Sequence, residues 1–293
     1  MSTFTYKLIA TIFMFIDHLA ASFQISNNGI LSNEILSLMR SMGRVSLPIF
    51  AYFLVVSYGK TRNISKYISR IHLGAIISQI PFSLLFNQSF YEYQPINIFS
   101  YHYENLIFTG LIIVSYFLFI TKRKFTKDLF IVSFAWILAS LNIIYKGTYI
   151  FNPTDLNIFY EFGLSLIVIY MLDEINKKNE VNPIRSIFAV IVIIGLSYYI
   201  DRVGNYGFSV LLLIMLLFAF RNNQYVQSGI IALWGYFMYS YSITNVIFVV
   251  LAGVSLLFYN GKKGRGLKSF FYIFYPVHMI ILIVLTIIIS NIR

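Results

Sequence analysis

Apolar runs separated by short polar connections cover almost the whole chain. In order they lie at 5–23, 45–59, 68–86, 105–121, 128–145, 157–172, 185–200, 206–220, 225–239, 243–259 and 268–290. A bilayer-crossing helix needs about 20 predominantly apolar residues. The pattern therefore predicts an all-α, polytopic bundle of about 10–11 transmembrane helices, forming a single domain over residues 1–293. Both counts stand, because the runs flanking Ser240 read either as two spans or as one broken element.

Composition supports the same solvent. Hydrophobic residues make up 58% of the chain, charged residues 11%, and mean hydropathy is +0.75, values outside the range of ordinary soluble domains. The chain has no cysteine, which excludes disulfides, thiolate metal ligands and cysteine nucleophiles. With four histidines and no cysteine, no metal site is expected.

The net charge of +11 raises the question of nucleic acid, and the placement of the charges argues against it. Basic residues alternate by connection: sixteen, or seventeen with Lys7, fall on one side, and five, Arg40, Arg44, Lys146, Arg202 and Arg293, on the other. By the positive-inside rule the N-terminus is cytoplasmic. Ala20-Ala21-Ser22 resembles a signal cleavage site, but Asp17-His18 interrupts the apolar core where a signal peptide is smoothest, so the first run is expected to stay as a helix.

That interruption is the main chemical signal. Ionisable residues inside a membrane helix are costly and are candidates for function. At about 1.5 Å per residue, His18 lies about 16 Å beyond Lys7 and His278 about 15 Å beyond Lys268, so two histidines and Asp17 sit at similar depth on the first and last helices. Adjacent residues on a helix point about 100° apart, so Asp17 and His18 need not form a dyad; Asp17 has Arg44 or His278 as alternative partners. Arg40 and Arg44, four apart at the end of the 24–44 connection, share a face if helical. They read either as a snorkelling surface pair or, for Arg44, as a group turned inward toward an anion or Asp17.

Other polar positions have quieter readings. His72, near Arg70, reads as structural, and Pro81 frees a carbonyl that Gln79 or a neighbour must satisfy. The loop 87–104, with Glu92, His102, Glu104 and four tyrosines, reads as an interfacial aromatic belt. Asn105 and Thr109, four apart, suggest helix–helix hydrogen bonding; Asp201 to Gly207 reads as a tight turn with a surface ion pair. No Gly-rich phosphate loop, HExxH or GxSxG pattern occurs. Imidazole is a general base near neutral pH and suits removal of a proton from an amine or hydroxyl during acyl transfer.

Several segments together carry a resemblance: Lys7-Leu-Ile-Ala10 with Met14-Phe-Ile-Asp17-His18, Gly43-Arg44-Val-Ser-Leu-Pro48, Tyr67-Ile-Ser-Arg70, Ser78-Gln79-Ile-Pro81, Asn105-Leu-Ile-Phe-Thr109, Tyr206-Gly207 and Phe271-Tyr-Ile-Phe-Tyr275-Pro276-Val-His278. In this order they resemble the TraX family, which includes the membrane enzyme that acetylates the N-terminus of conjugative pilin. The resemblance implies an acetyl-CoA-dependent acetyltransferase acting on an exported peptide or cell-envelope polymer at the bilayer. It makes His18 the base, with Asp17 and Arg44 orienting, His278 a second catalytic or positioning imidazole, and Arg44, Asn105, Tyr206 and Tyr275 contacts to the acceptor. Lys7, Lys60, Arg62 and Arg70 would face the donor. Lys7-x10-His18 is also similar to the Arg-x10-His of the wider transmembrane acyltransferases, with the point charge of lysine replacing the bidentate fork of arginine. A transporter or flippase, which would show an internal repeat with broken helices, and a non-catalytic assembly protein are the rival classes.

Overall fold

The structure is a computed structural model that describes residues 1–26, 29–86, 103–141, 143–145, 148–151, 154–177, 183–265 and 268–292. Most of the tyrosine-rich loop, including Tyr91, Glu92, Tyr93, Tyr101 and His102, lies outside the described residues, as do Asn142 and Lys146.

Every apolar run contributes a helix, though 128–145 is helical only over its first part. The order is α1 (Thr3–Ser26), α2 (Asn33–Gly43), α3 (Ser46–Lys60), α4 (Ile64–Phe86), α5 (Tyr103–Ser115), α6 (Lys127–Ala139), α7 (Ile158–Lys177), α8 (Pro183–Val203), α9 (Phe208–Ala219), α10 (Gln224–Tyr239), α11 (Ile243–Leu256) and α12 (Lys268–Ile292). A π-helical turn, Tyr116–Ile120, extends α5. Thr3–Ile25, Asn33–Lys60, Ile64–Phe86, Ser186–Val203 and Phe270–Ile289 are long and apolar enough to cross a membrane, and Glu104–Ile120, Phe208–Ala219 and Ile243–Leu256 are shorter apolar helices. The chain is a multi-pass membrane protein with an α-helical fold.

Two expectations change. The run 128–145 is not one helix: Ser140 caps α6, and Ile143–Tyr145 pairs antiparallel with Thr148–Phe151 as a small hairpin, β1 and β2. β-branched and aromatic residues favour that conformation once the helix has ended. The connection 24–44 is not simply a surface loop either. Ser32 caps α2 by accepting from the Ile35 N–H, and Leu36, Ser41 and Gly43 are buried.

The chain divides into two compact units. One comprises Met1–Val56, Leu84–Gln88 and Leu216–Arg293. Here the chain start is tied to the segment before α12: the Thr3 N–H donates to Lys262 O at 2.9 Å, the Asn260 N–H to Met1 O at 3.0 Å, and Tyr6 OH to Ser255 O. Tyr6, Tyr52, Phe53 and Tyr259 pack ring against ring beside this junction. The runs flanking Ser240 are two helices, with Ser242 capping α11. Gly235 faces Val249, and Gly253 faces the Ser228 carbonyl, so α10 and α11 approach as small residues allow in lipid.

The other unit comprises Ser57–Ser83 and Ser89–Met215. The Trp136 indole donates to His72 Nε2 at 2.9 Å, and the His72 Nδ1–H donates to Ile68 O at 2.9 Å, so both ring nitrogens are satisfied inside the protein. This is the structural role read for His72. Gln79 does not turn back to the carbonyl that Pro81 frees. Its amide oxygen accepts from the Asn157 backbone and side chain, and its amide nitrogen donates to Ser83 Oγ and Asp155 O. Glu161 is buried, and its Oε1 accepts from the Tyr206 N–H at 3.0 Å, pinning the 204–207 turn onto α7. Many mid-helix hydroxyls, among them Ser115, Ser165 and Ser197, bond a carbonyl of their own helix, which satisfies them in an apolar setting.

Candidate functional site

The sequence placed His18 and His278 at one depth, and the structure brings them into contact. His18 Nδ1 and His278 Nε2 are 2.7 Å apart, with ring centroids at 5.0 Å and planes 19° apart. His278 Nδ1 lies 2.8 Å from Phe274 O. A carbonyl only accepts, so Nδ1 of His278 carries the proton and, in a neutral ring, Nε2 has the lone pair. That lone pair accepts the Nδ1–H of His18. The remaining nitrogen of a neutral His18, Nε2, is then unprotonated and basic. The anchor is local to α12: Pro276 has no N–H for the Tyr272 carbonyl one turn back, and His278 takes its carbonyl from the same loosened turn.

Burial separates the two rings. His278 is 1% exposed, whereas residue His18 is partly exposed. No other described group hydrogen-bonds the His18 ring. Phe86 meets it edge-on at 5.1 Å, and buried Tyr275 lies at 6.2 Å from it and 5.7 Å from His278.

Asp17 takes a different direction from its neighbour, as helical geometry requires. It is bonded to neither histidine among the described residues. Arg40 NH1 donates to Asp17 Oδ1 at 2.7 Å and to Asp17 O at 3.3 Å. The hydrogen-bond partner of the His18 ring is therefore His278, and Arg40 is an Asp17 partner that the sequence reading did not assign. The contact depends on Gly43: a Cβ there would overlap the Asp17 Cβ and stand 2.5 Å from its Cγ. Arg44, which caps α2, places its guanidinium over the buried Tyr239 ring, 5.4 Å from the centroid.

Lys7 lies three turns before His18 on the same face of α1, with Nζ 5.8 Å from the Phe53 ring and 5.9 Å from the Phe271 ring. Asn105 and Tyr206 belong to the other unit, Asn105 buried and Tyr206 bonded through its N–H to Glu161. Lys60, Arg62 and Arg70 also belong there and are exposed. Of the residues singled out in the sequence, Asp17, His18, Arg44, Tyr275 and His278 thus gather in one unit, with Lys7 further along it. Sequence reasoning missed Arg40 as the ion-pair partner, the Phe274 carbonyl, Gly43 and Tyr239. Only the shared face of Arg40 and Arg44 signalled any of these in advance. Among the described residues, no group of three or more histidines, aspartates or glutamates stands together as a metal-binding cluster.

The fold and site define a multi-pass α-helical membrane protein with a paired-imidazole centre between its first and last helices. The TraX protein family matches residues 2–151 and 136–286, and the chain belongs to that family. It is also 25% identical over 288 residues to the probable fimbrial assembly protein FimC, serogroup H1, of Dichelobacter nodosus, covering 96% of this chain and 94% of that protein. No solved structure matches the chain.

Proposed function

We propose that the protein is a membrane-embedded acetyltransferase that serves pilus assembly by modifying an exported peptide, with His18 as general base. The observation that carries this reading is the Phe274–His278–His18 hydrogen-bond chain, which leaves a basic nitrogen on the more exposed of the two imidazole residues. His18 Nε2 takes the proton of the acceptor amine or hydroxyl as that group attacks the acetyl carbonyl. Acetyl-CoA supplies the acetyl group and leaves as the thiol. The charge gained by His18 is shared through its Nδ1–H with His278, whose ring the Phe274 carbonyl holds in register. Peptide acceptors fit the TraX membership and the fimbrial assembly relative better than a cell-envelope polymer does.

For the donor, the segment tied to the start of α1 offers exposed Lys262, Lys263 and Arg265, with Lys7 one turn into the helix. These suit a diphosphate on the side that the basic connections make cytoplasmic. The test is release of coenzyme A thiol by purified protein supplied with acetyl-CoA and peptide amines, an assay with no background because the chain lacks cysteine. Release by wild type, lost in His18→Ala with the fold intact, supports the reading. Equal rates in both proteins would remove His18 as base. No release with any peptide would favour transport or a non-catalytic role in assembly.

A further inference from the structure

The connection between the π-helical turn and α6, residues 121–126, belongs to the unit that does not hold the histidines. Its backbone closes on itself: the Thr121 N–H donates to Tyr116 O at 3.1 Å and the Arg123 N–H to Phe117 O at 2.9 Å. In making this reversal Lys122 and Arg123 both take left-handed backbone, with φ of 52° and 65°. Glycine adopts that conformation without steric cost and is the usual residue where a helix ends in this way. Two cations therefore stand where they weaken the fold. Beside them the start of α4 is fastened to α6. Ser65 Oγ donates to Asp128 Oδ2 at 2.9 Å, Ser69 Oγ to Asp128 Oδ1 at 2.7 Å, and Tyr116 OH to Ser65 O at 3.1 Å. Hydroxyls, not cations, thus hold both oxygens of Asp128. Lys66 and Arg70, four apart on α4, share a face, and Lys122, Arg123, Lys124 and Lys127 lie just before Asp128 in the chain. All six are exposed, and among the described residues none has an ion pair, hydrogen bond or ring contact through its side chain.

Phe125, between these lysines, is 89% exposed, the highest value of any large hydrophobic side chain among the described residues. Its ring packs on Phe117 at 5.1 Å, and Phe130, 70% exposed, follows in the first turn of α6. An aromatic ring so exposed is costly in water. It is favourable at headgroup level, where the ring meets the acyl boundary and neighbouring cations meet phosphate.

We propose that this face binds an anionic phospholipid of the leaflet that the basic connections make cytoplasmic: the six cations hold the headgroup phosphate and Phe125 enters the acyl boundary beside it. The Asp128 network fixes α4 against α6, so the cations on both are presented together. The positive-inside rule explains the sign of the charge here, but neither cations at left-handed positions nor the exposure of Phe125. A soluble phosphate, the donor's included, would use the cations and leave Phe125 in water.

The test uses the full chain in nonionic detergent, with phosphatidylglycerol or phosphatidylcholine titrated into the micelles and inorganic phosphate or coenzyme A added in separate arms. Retained lipid is counted by native mass spectrometry, and the unfolding midpoint is followed by circular dichroism. Phosphatidylglycerol should be retained and raise the midpoint, phosphatidylcholine should do neither at the same mole fraction, and neither soluble anion should displace the lipid. Lys122→Gly with Arg123→Gly should need about 25-fold more phosphatidylglycerol for equal occupancy, about fivefold for each cation removed near a membrane surface. In phosphatidylcholine the same variant should be no less stable than wild type, since glycine now occupies the left-handed positions. If it fails to fold, Lys124→Gln with Lys127→Gln removes two exposed cations without touching the turn and must show the same loss. Phe125→Ser should weaken retention with no change of charge, whereas Lys262→Gln with Lys263→Gln, which removes two charges from the other unit, should leave it intact. Equal retention of the two lipids overturns the proposal, as does a preference that survives loss of the cations or falls as far in the Lys262 and Lys263 control. Displacement by coenzyme A or phosphate would assign the cations to a soluble anion and overturn it as well.

Discussion

The sharpest consequence of the close approach between α1 and α2 concerns Gly43. An added Cβ would overlap the Asp17 Cβ and lie 2.5 Å from Cγ and 2.9 Å from Oδ1. The Asp17 Cβ is fixed to its helix and cannot swing aside as the end of a long side chain would. Gly43→Ala must therefore push α2 away from α1, and the 2.7 Å Arg40–Asp17 contact has to lengthen or break. Overpacking of this kind costs about 1–3 kcal/mol, and loss of an ion pair that is mostly buried adds to it. The same substitution at Gly229, where a Cβ would meet nothing within 4 Å, should instead gain up to about 1 kcal/mol from helix propensity. Unfolding of both variants by a denaturing detergent, followed by circular dichroism, compares them directly. The expected order is Gly229→Ala, wild type, Gly43→Ala, with at least about 1 kcal/mol between the last two. If Gly43→Ala were as stable as Gly229→Ala, the argument that α2 is seated on Asp17 would be wrong.

Other outcomes follow from the same structure. His18→Ala should lower acetyl transfer by about 10²–10⁴-fold, the usual contribution of a general base, and His278→Ala should lower it by less, with a change in its pH profile because the His18 tautomer is no longer fixed. Transfer by wild type should fall as pH is lowered through protonation of His18, since an imidazolium cannot accept a proton; a rate independent of pH in thiol-release assays would contradict this. Arg40→Ala should destabilise the protein by no more than the roughly 3–5 kcal/mol of a broken buried pair, because the Arg40 side chain is 28% exposed. Asp17→Leu combined with Arg40→Met should recover much of that loss in the same unfolding assay. Trp136→Phe removes the donor to buried His72 Nε2 and should cost about 1–3 kcal/mol, with thiol release per folded molecule unchanged.

The sequence was enough for the class of protein. Uninterrupted apolar runs have one stable arrangement in lipid, the helix, because every backbone group must be satisfied within the segment. Each run in this chain contributes a helix, and only 128–145 leaves it part-way, for the hairpin that begins at Ile143. Depth was also legible, since rise per residue converts position along a helix into distance, and so His18 and His278 were matched before any contact was known. Partners were not legible. Whether Arg40 or Arg44 reaches Asp17 depends on how α2 lies against α1, and that is fixed by the absence of a side chain at Gly43. Nor does periodicity show that Phe274 fixes one imidazole and the other stays partly open, because tautomers follow from neighbours in space. Asn105, Tyr206, Lys60, Arg62 and Arg70 carried the family pattern as plainly as the histidines did, yet they belong to a different unit. Local pattern gives each helix its solvent and its depth, while the close packing of particular helices decides which polar groups meet.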